Sequence, residues 1–330
     1  MLRFSIVRAI ADAILPDSKA QAPRDRSRHP PPVKFNIAYF GPEWLFHLRR
    51  DFILATRYGL ESLGHDVVLS GLQMDPARFN LVIGAYFLPK AELARIDKSG
   101  VPFAHVNTEV IANDMLNFNP QKVDFPGAYL PSLKAGRFAW DVIQDNLAEH
   151  RRYGVAAHFM RWGWHPKMED IEHRAQKDLD FYFFGMMTPR RAQVVQELGK
   201  RGFIGMVDHS CPYFLRNDRI ARAKVNLNIV QDDKYTHVNS FRICYLANNR
   251  VAIVSEAESD PAGYLALADV IHGPEKFADA LASLLAEDRW KARGEAAYER
   301  FREVPMTRCL EELLDASFGG EARAAAGGAR

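Results

Sequence analysis

One stretch constrains the fold of this chain more than any other: VNLNIVQDDKYTHVNSFRICYLANNRVAIVSE, residues 225–256. Its apolar run at 225–230 reads as a strand buried on both faces, the pattern of a parallel sheet. A polar loop follows at 231–238, then a helix opening at Asn239 or Ser240, then a second buried strand at 250–254. A strand–loop–helix–strand unit leaves free backbone N–H groups and the positive end of a helix dipole where a phosphate can sit. Asn239, Ser240 and Arg242 in the first helical turn suit an anion. Nucleotide binding is the leading expectation.

The rest of the chain repeats this grammar. Strands are predicted at 34–40, 66–69, 81–85, 103–107, 141–144 and 157–160, with helices at 44–63, 90–98 and 147–153. After the break RWGWHP at 161–166, strands at 180–184, 203–207, 225–230, 250–254 and 268–271 alternate with helices, among them one capped by Thr188, opened by Pro189 and running to Arg201, and a short one at 218–224; three helices close the chain between 274 and 318. Alternating strands and helices imply α/β layers. At 330 residues the chain is long enough for two cores. The reading is α/β, two Rossmann-like domains facing across a cleft, with an N-terminal helix and C-terminal helices. It divides into 1–33, an amphipathic helix and Pro-rich linker; 34–163, the first domain; 164–318, the second; and 319–330, a small, polar, disordered tail.

Composition sets limits on partners and compartment. Apolar residues at 48% and charged residues at 25% describe an ordinary soluble globular protein. A formal charge of +2, with no Lys/Arg stripe among aromatics, argues against nucleic acid as a partner. Cys211, Cys244 and Cys309 form no CxxC pair, which argues against a disulfide frame or zinc site and for a reducing cytosol. No apolar run reaches the roughly 18 residues of a spanning helix. Residues 2–15 carry an apolar stripe with Arg3 and Arg8 among it, able to rest on the inner face of a membrane, on the protein body or on a partner protein.

Two such domains joined by a Gly-containing crossover suggest the GT-B architecture, and particular residues carry a resemblance to it. FYFFGMMTPRRAQVVQELGKRGF, residues 181–203, resembles the opening of the donor domain in group-1 bacterial glycosyltransferases. RIARAKVNLNIV (219–230) with FRICYLANNRVAIVSE (241–256) resembles the CgeB-like branch of that group, and 141–166 resembles its interdomain stretch. The resemblance implies a hexosyltransferase-like enzyme of polysaccharide or protein glycosylation. Such an enzyme moves a sugar from a nucleotide-diphosphate donor to a hydroxyl acceptor, with no cofactor and no metal. Relatives carry a pair of glutamates around the helix, whereas this chain has no acidic residue between Asp233 and Glu256, and Asn248-Asn249-Arg250 replace the usual glycine.

The residues expected to do the chemistry fall into three groups. For the donor diphosphate and its ribose, the candidates are Gly185, Thr188, Arg190, Arg191, Tyr235, His237, Asn239, Ser240, Arg242 and Glu256. Arginine matches a diphosphate with a bidentate fork that lysine lacks. For the acceptor they are Gly41, Glu43, Trp44 and His47, where Trp44 offers a stacking face. Glu109, just past the strand at 103–107, is the candidate general base. Asn228 reads as a residue satisfying backbone groups, Asp232-Asp233 as a solvated loop and His165 as a cap of the hinge. Two alternatives stand beside the enzyme. One is a GT-B-like protein that holds a nucleotide sugar or glycan without turnover. The other is a two-domain oxidoreductase or epimerase, weakened because neither Gly41 nor Gly185 opens a GxGxxG run.

Overall fold

The computed structural model describes residues 33–118, 123–235, 237–256 and 258–327. The stripe at 2–15 and the linker through residue 32 lie outside the described residues. Among those described, no helix is long and apolar enough to cross a membrane.

Two all-parallel sheets build two lobes. The first orders its strands β2-β1-β3-β4-β5-β6, where β1 is Lys34–Tyr39, β2 Asp66–Gly71, β3 Phe79–Ile83, β4 Phe103–Asn107, β5 Ala139–Asp141 and β6 Ala157–Phe159. The second orders β8-β7-β9-β10-β11, where β7 is Leu179–Phe184, β8 Gly205–Asp208, β9 Ala223–Asn228, β10 Ala252–Glu256 and β11 Asp269–Ile271. The central strands β3, β4 and β10 are buried at every residue, as parallel strands covered on both faces must be. The expected α/β class with two facing parallel sheets is the observed architecture.

Helix α1, Glu43–Ser62, runs from the end of β1 and buries Leu45, Phe52, Ile53, Leu54 and Leu60. In the second lobe α2 is Pro189–Lys200, α3 Tyr213–Arg222 and α4 Ser240–Asn248. The strand expected at 141–144 is Ala139–Asp141, and the helix expected at 218–224 begins at Tyr213. Ala223 joins β9 because it pairs with Leu179 of β7, so sheet registry overrides the helical pattern there. A small hairpin, Ile111–Ala112 with Met115–Leu116, escaped the sequence reading. Its turn residues Asn113 and Asp114 both have positive φ, the chemistry of a two-residue hairpin loop.

The chain crosses between the lobes twice. On the first crossing His165 accepts a hydrogen bond from the Lys167 N–H and caps a short 3-10 turn, as the sequence suggested. On the second, the last helix α5, Met306–Gly327, returns to the first lobe and packs on α1. A Cβ on Gly59 of α1 would stand 2.5 Å from Leu310 Cδ1, so the two helices approach closely only without a side chain there. Phe318 packs edge-on against Phe35, Phe79 and Phe138, and the Trp140 indole donates to Ser317 Oγ at 2.8 Å. Residues 306–318, grouped by sequence with the second domain, are thus packed on the first. The helix also runs on to Gly327, beyond residue 319 where the sequence placed a tail.

Candidate functional site

The C-terminal ends of both sheets face each other across a cleft of about 480 Å³. That is where open parallel sheets bind ligands, because strand ends and helix N-termini converge there. The second lobe contributes Gly185, Arg191, Asn228, Asn239, Ser240, Arg242 and Glu258 to its wall; the first contributes Trp44, Arg49, Thr108, Glu109 and Asn117.

On the second wall two guanidiniums are buried without a hydrogen-bonded carboxylate. Arg242 donates from Nη1 to Asn228 Oδ1 at 2.6 Å and from Nη2 to the Phe184 carbonyl at 2.7 Å. Its Nε is buried with no partner. Arg191 donates to the Ile229 carbonyl from Nε and Nη2, at 3.0 and 2.8 Å, and to the Met186 carbonyl at 2.7 Å. All of these acceptors are neutral, and among the described residues neither guanidinium makes an ion pair. Burial, and then repulsion from Arg191, pulls Arg242 down to about 9. Burial likewise pulls Arg191 down to about 10. Arginine keeps its proton at neutral pH even so, and two buried cations with only neutral hydrogen-bond partners favour an anion beside them. Gly185 is wedged between them at φ +144, and a Cβ there would lie 2.8 Å from Arg242 Nη2. Asn239 caps α4 by accepting from the Arg242 N–H at 3.2 Å, and Ser240 is buried behind it. Asn228 therefore holds Arg242, with Ser255 Oγ accepting its amide at 2.8 Å, where the sequence reading had it serving backbone groups.

Glu258, which the sequence reading passed over, lines the same wall. Burial pushes its carboxyl up to about 8 against the pull of Arg242, and Oε2 has no hydrogen-bond partner. No sequence signal marked it, since its character comes from Arg242, Arg191 and Glu256 brought near by the fold.

Three donor candidates point elsewhere. Arg190 forms a two-pronged ion pair with Glu256, at 2.9 and 2.6 Å, and Glu256 also accepts from the Val230 N–H at 2.8 Å. Neither lines the cleft. Glu256, expected on a ribose, has its lone pairs occupied by Arg190 and Val230. Thr188 caps α2, accepting from the Arg191 N–H at 3.3 Å and donating to the Gln231 carbonyl at 2.8 Å. Its role is to set the start of the helix that presents Arg191. In the loop before α4, Tyr235 and His237 reach across the cleft. The Tyr235 hydroxyl donates to the Asn117 carbonyl at 2.8 Å, and His237 Nδ1 lies 2.8 Å from Asp145 Oδ2.

The first wall is built on opposite principles. Glu109 is buried and accepts from Arg49, Asn117, the Tyr86 hydroxyl at 2.6 Å and the Thr108 hydroxyl at 3.1 Å. Burial raises its carboxyl, but Arg49 and the hydrogen bonds outweigh that and hold it below the usual carboxylate range. A carboxylate engaged by four donors and held below its usual range is a poor general base, and the geometry makes Glu109 the anchor of Arg49 instead. Deeper, Asp51 of α1 takes two bonds from Arg216 of α3, at 2.6 and 3.0 Å, tying the lobes together. The sequence reading missed Arg216 because it started this helix too late. Trp44 lines the cleft and is 54% exposed. Gly41, Glu43 and His47 do not line it. A Cβ on Gly84 would come within 2.8 Å of the Gly41 nitrogen, so Gly41 serves close backbone packing.

Among the described residues no group of three His, Cys, Asp or Glu stands ready to hold a metal ion. Asp232 caps the Lys234 N–H at 2.8 Å, and the Asp233 side chain is exposed.

No family model matches the chain, and neither does any curated protein. Solved structures do match in fold. One is an alpha-glucosyltransferase in complex with UDP and a 13-mer DNA, at TM-score 0.58 and 9% identity over 86% of this chain and 99% of that one. AviGT4, a glycosyltransferase of avilamycin A biosynthesis, gives 0.54 and 13% over 87% and 97%. The T4 phage BGT with UDP and Mn2+ gives 0.53 and 11% over 87% and 100%. At these identities the likeness is one of fold, the GT-B architecture. It also overturns the exclusion of nucleic acid drawn from net charge, because a protein of this architecture holds DNA. Net charge averages a whole surface, whereas a polyanion responds to the local field.

Proposed function

We propose that the chain is a glycosyltransferase that binds a nucleotide-diphosphate sugar on its second lobe and passes the sugar to a hydroxyl acceptor seated against the first. The observation that carries this is the pair Arg191 and Arg242, two buried guanidiniums facing a cleft with only neutral partners. A departing diphosphate gains negative charge as the glycosidic bond breaks, and preorganised cations in a dry wall stabilise that charge without reorganising. The N-terminus of α4 adds its dipole to the same place. In this reading the guanidiniums do the work that a metal ion does elsewhere, and no metal is required. The CgeB-like kinship suggested by residues 219–256 belongs to the same proposal. The fold neighbours that hold UDP support a uridine nucleotide as the first donor to try.

A second reading, a binding protein without turnover, is favoured by the four donors on Glu109 and its lowered carboxyl, which make the expected base a weak one. One experiment separates the two. The protein is screened by thermal shift against UDP and a panel of nucleotide-diphosphate sugars, and each hit is assayed for release of the nucleoside diphosphate. Stabilisation with release supports the enzyme, and stabilisation without it supports the binding protein. No stabilisation by any nucleoside diphosphate sinks both.

A further inference from the structure

The two halves of the cleft differ in what they can grip. On the first lobe the lining is dominated by Trp44, Leu48, Phe87, Val110, Leu116 and Val123. Trp44 is 54% and Phe87 40% exposed, and Met186 on the opposite lip is 46% exposed. Large apolar side chains left open on both lips of one cleft mark a contact surface rather than scattered surface residues. Methionine and tryptophan also adapt to apolar or ring-shaped ligands.

Most of the polar groups among them are already engaged, the exception being the buried Nε of Arg49, which has no partner. Glu109 accepts from Arg49, Tyr86 and Thr108 at Oε1 and from Asn117 at Oε2, which commits Oε1 and the Tyr86 and Thr108 hydroxyl protons. Asn117 Oδ1 accepts from the Val110 N–H at 3.0 Å, and its amide donates to Glu109. Asp51 is held by Arg216 and Arg50. A sugar acceptor needs free carboxylates and amides to meet its ring of hydroxyls, because each unpaired hydroxyl in a buried site is costly. This wall offers apolar contact and few open polar sites, namely the Thr108 hydroxyl lone pairs, one side of Glu109 Oε2 and the Arg49 Nε–H, too few for the hydroxyls of a sugar ring but enough for one hydroxyl.

We infer that the acceptor is a largely apolar molecule, aromatic or aliphatic, carrying a hydroxyl that it turns toward the diphosphate wall. This rests on the transfer reading above and narrows its substrate class. The test is direct binding, so that it stands apart from turnover. The full chain, saturated with UDP, is titrated with 4-methylumbelliferone, 1-naphthol and 1-octanol as apolar alcohols, with maltose as a sugar and with a short DNA duplex. At least one apolar alcohol is expected to bind ten times more tightly than maltose or the duplex. Trp44→Ala combined with Phe87→Ser should weaken that binding at least tenfold while leaving the Kd for UDP within twofold. Both side chains are exposed, so the variant keeps its fold, and its UDP affinity reports that directly. Tighter binding of maltose or the duplex, no binding of any apolar alcohol, or an unchanged affinity in the double variant would each overturn the inference. Failure of UDP to bind the unaltered protein would instead strike at the transfer reading.

Discussion

Four arginines face one cleft, Arg191, Arg216 and Arg242 buried and Arg49 nearly so, and the two walls treat them differently. Arg49 and Arg216, on the side of the first lobe and its junction, each lie against a carboxylate, Glu109 or Asp51. Burial lowers both, but Glu109 and Asp51 outweigh it and hold these guanidiniums above their ordinary range. Arg191 and Arg242 are buried as well, touch only carbonyl and amide oxygens, and are pulled down to about 10 and about 9. The contrast separates scaffold from site. A cation whose counter-ion comes from the fold stabilises the fold; a cation without one waits for an anion from solution.

The largest effect expected from this contrast is on stability. Arg216→Ala leaves buried Asp51 with only the longer contact from Arg50, at 3.2 Å, and should destabilise the protein by about 3–5 kcal/mol. Arg242→Ala removes a cation with no hydrogen-bonded carboxylate, leaving two neutral acceptors, and should lower the urea midpoint clearly less. Equal losses in the two variants would erase the distinction. Next comes ligand affinity. Arg242→Ala should weaken UDP binding by about 1.5–3 kcal/mol, on the order of tenfold to a hundredfold, read by calorimetry. Unchanged affinity would remove Arg242 from the site.

A smaller effect sharpens the comparison within one helix turn. Arg190 is neutralised by Glu256, so Arg190→Ala should shift the UDP Kd by no more than about twofold, the scale of a partly exposed ion pair. A loss matching that of Arg242→Ala would put Arg190 in the site after all. The smallest effect is one of pH. Glu258 has a folded pKa of about 8 against an ordinary 4.5, so the folded state holds the extra proton between those values. Its contribution to stability is present below about 4.5 and is lost as pH rises through about 8. Urea midpoints should fall across that window, and Glu258→Gln should flatten that part of the slope. A diphosphate brought near should favour the protonated carboxyl further, so UDP binding should take up protons near the upper end of the window. Calorimetry in buffers of different ionisation enthalpy reads this uptake, and E258Q should abolish it.

Much of the scaffold was legible in the sequence because hydrophobic runs and helix caps are local. The strand at 225–230, the Thr188 cap and the α4 start at Asn239 and Ser240 all appear where the pattern put them or within a residue or two. The errors fell where distant parts of the chain set the outcome: the register of Ala223 beside Leu179, and the return of α5 to the first lobe. Side-chain roles divided in the same way. Arg190 and Arg191 were indistinguishable in sequence, yet neighbouring residues on a helix point about 100° apart. Only the docking of α2 on its sheet turned one toward Glu256 and the other toward the cleft. Neighbours along the chain fix the alternation of layers and the basic residues at two helix starts, so both could be read from residue order alone. Which carboxylates would meet those bases, leaving Arg191 and Arg242 bare, was decided by tertiary structure, since a charge is neutralised by what lies near it in space.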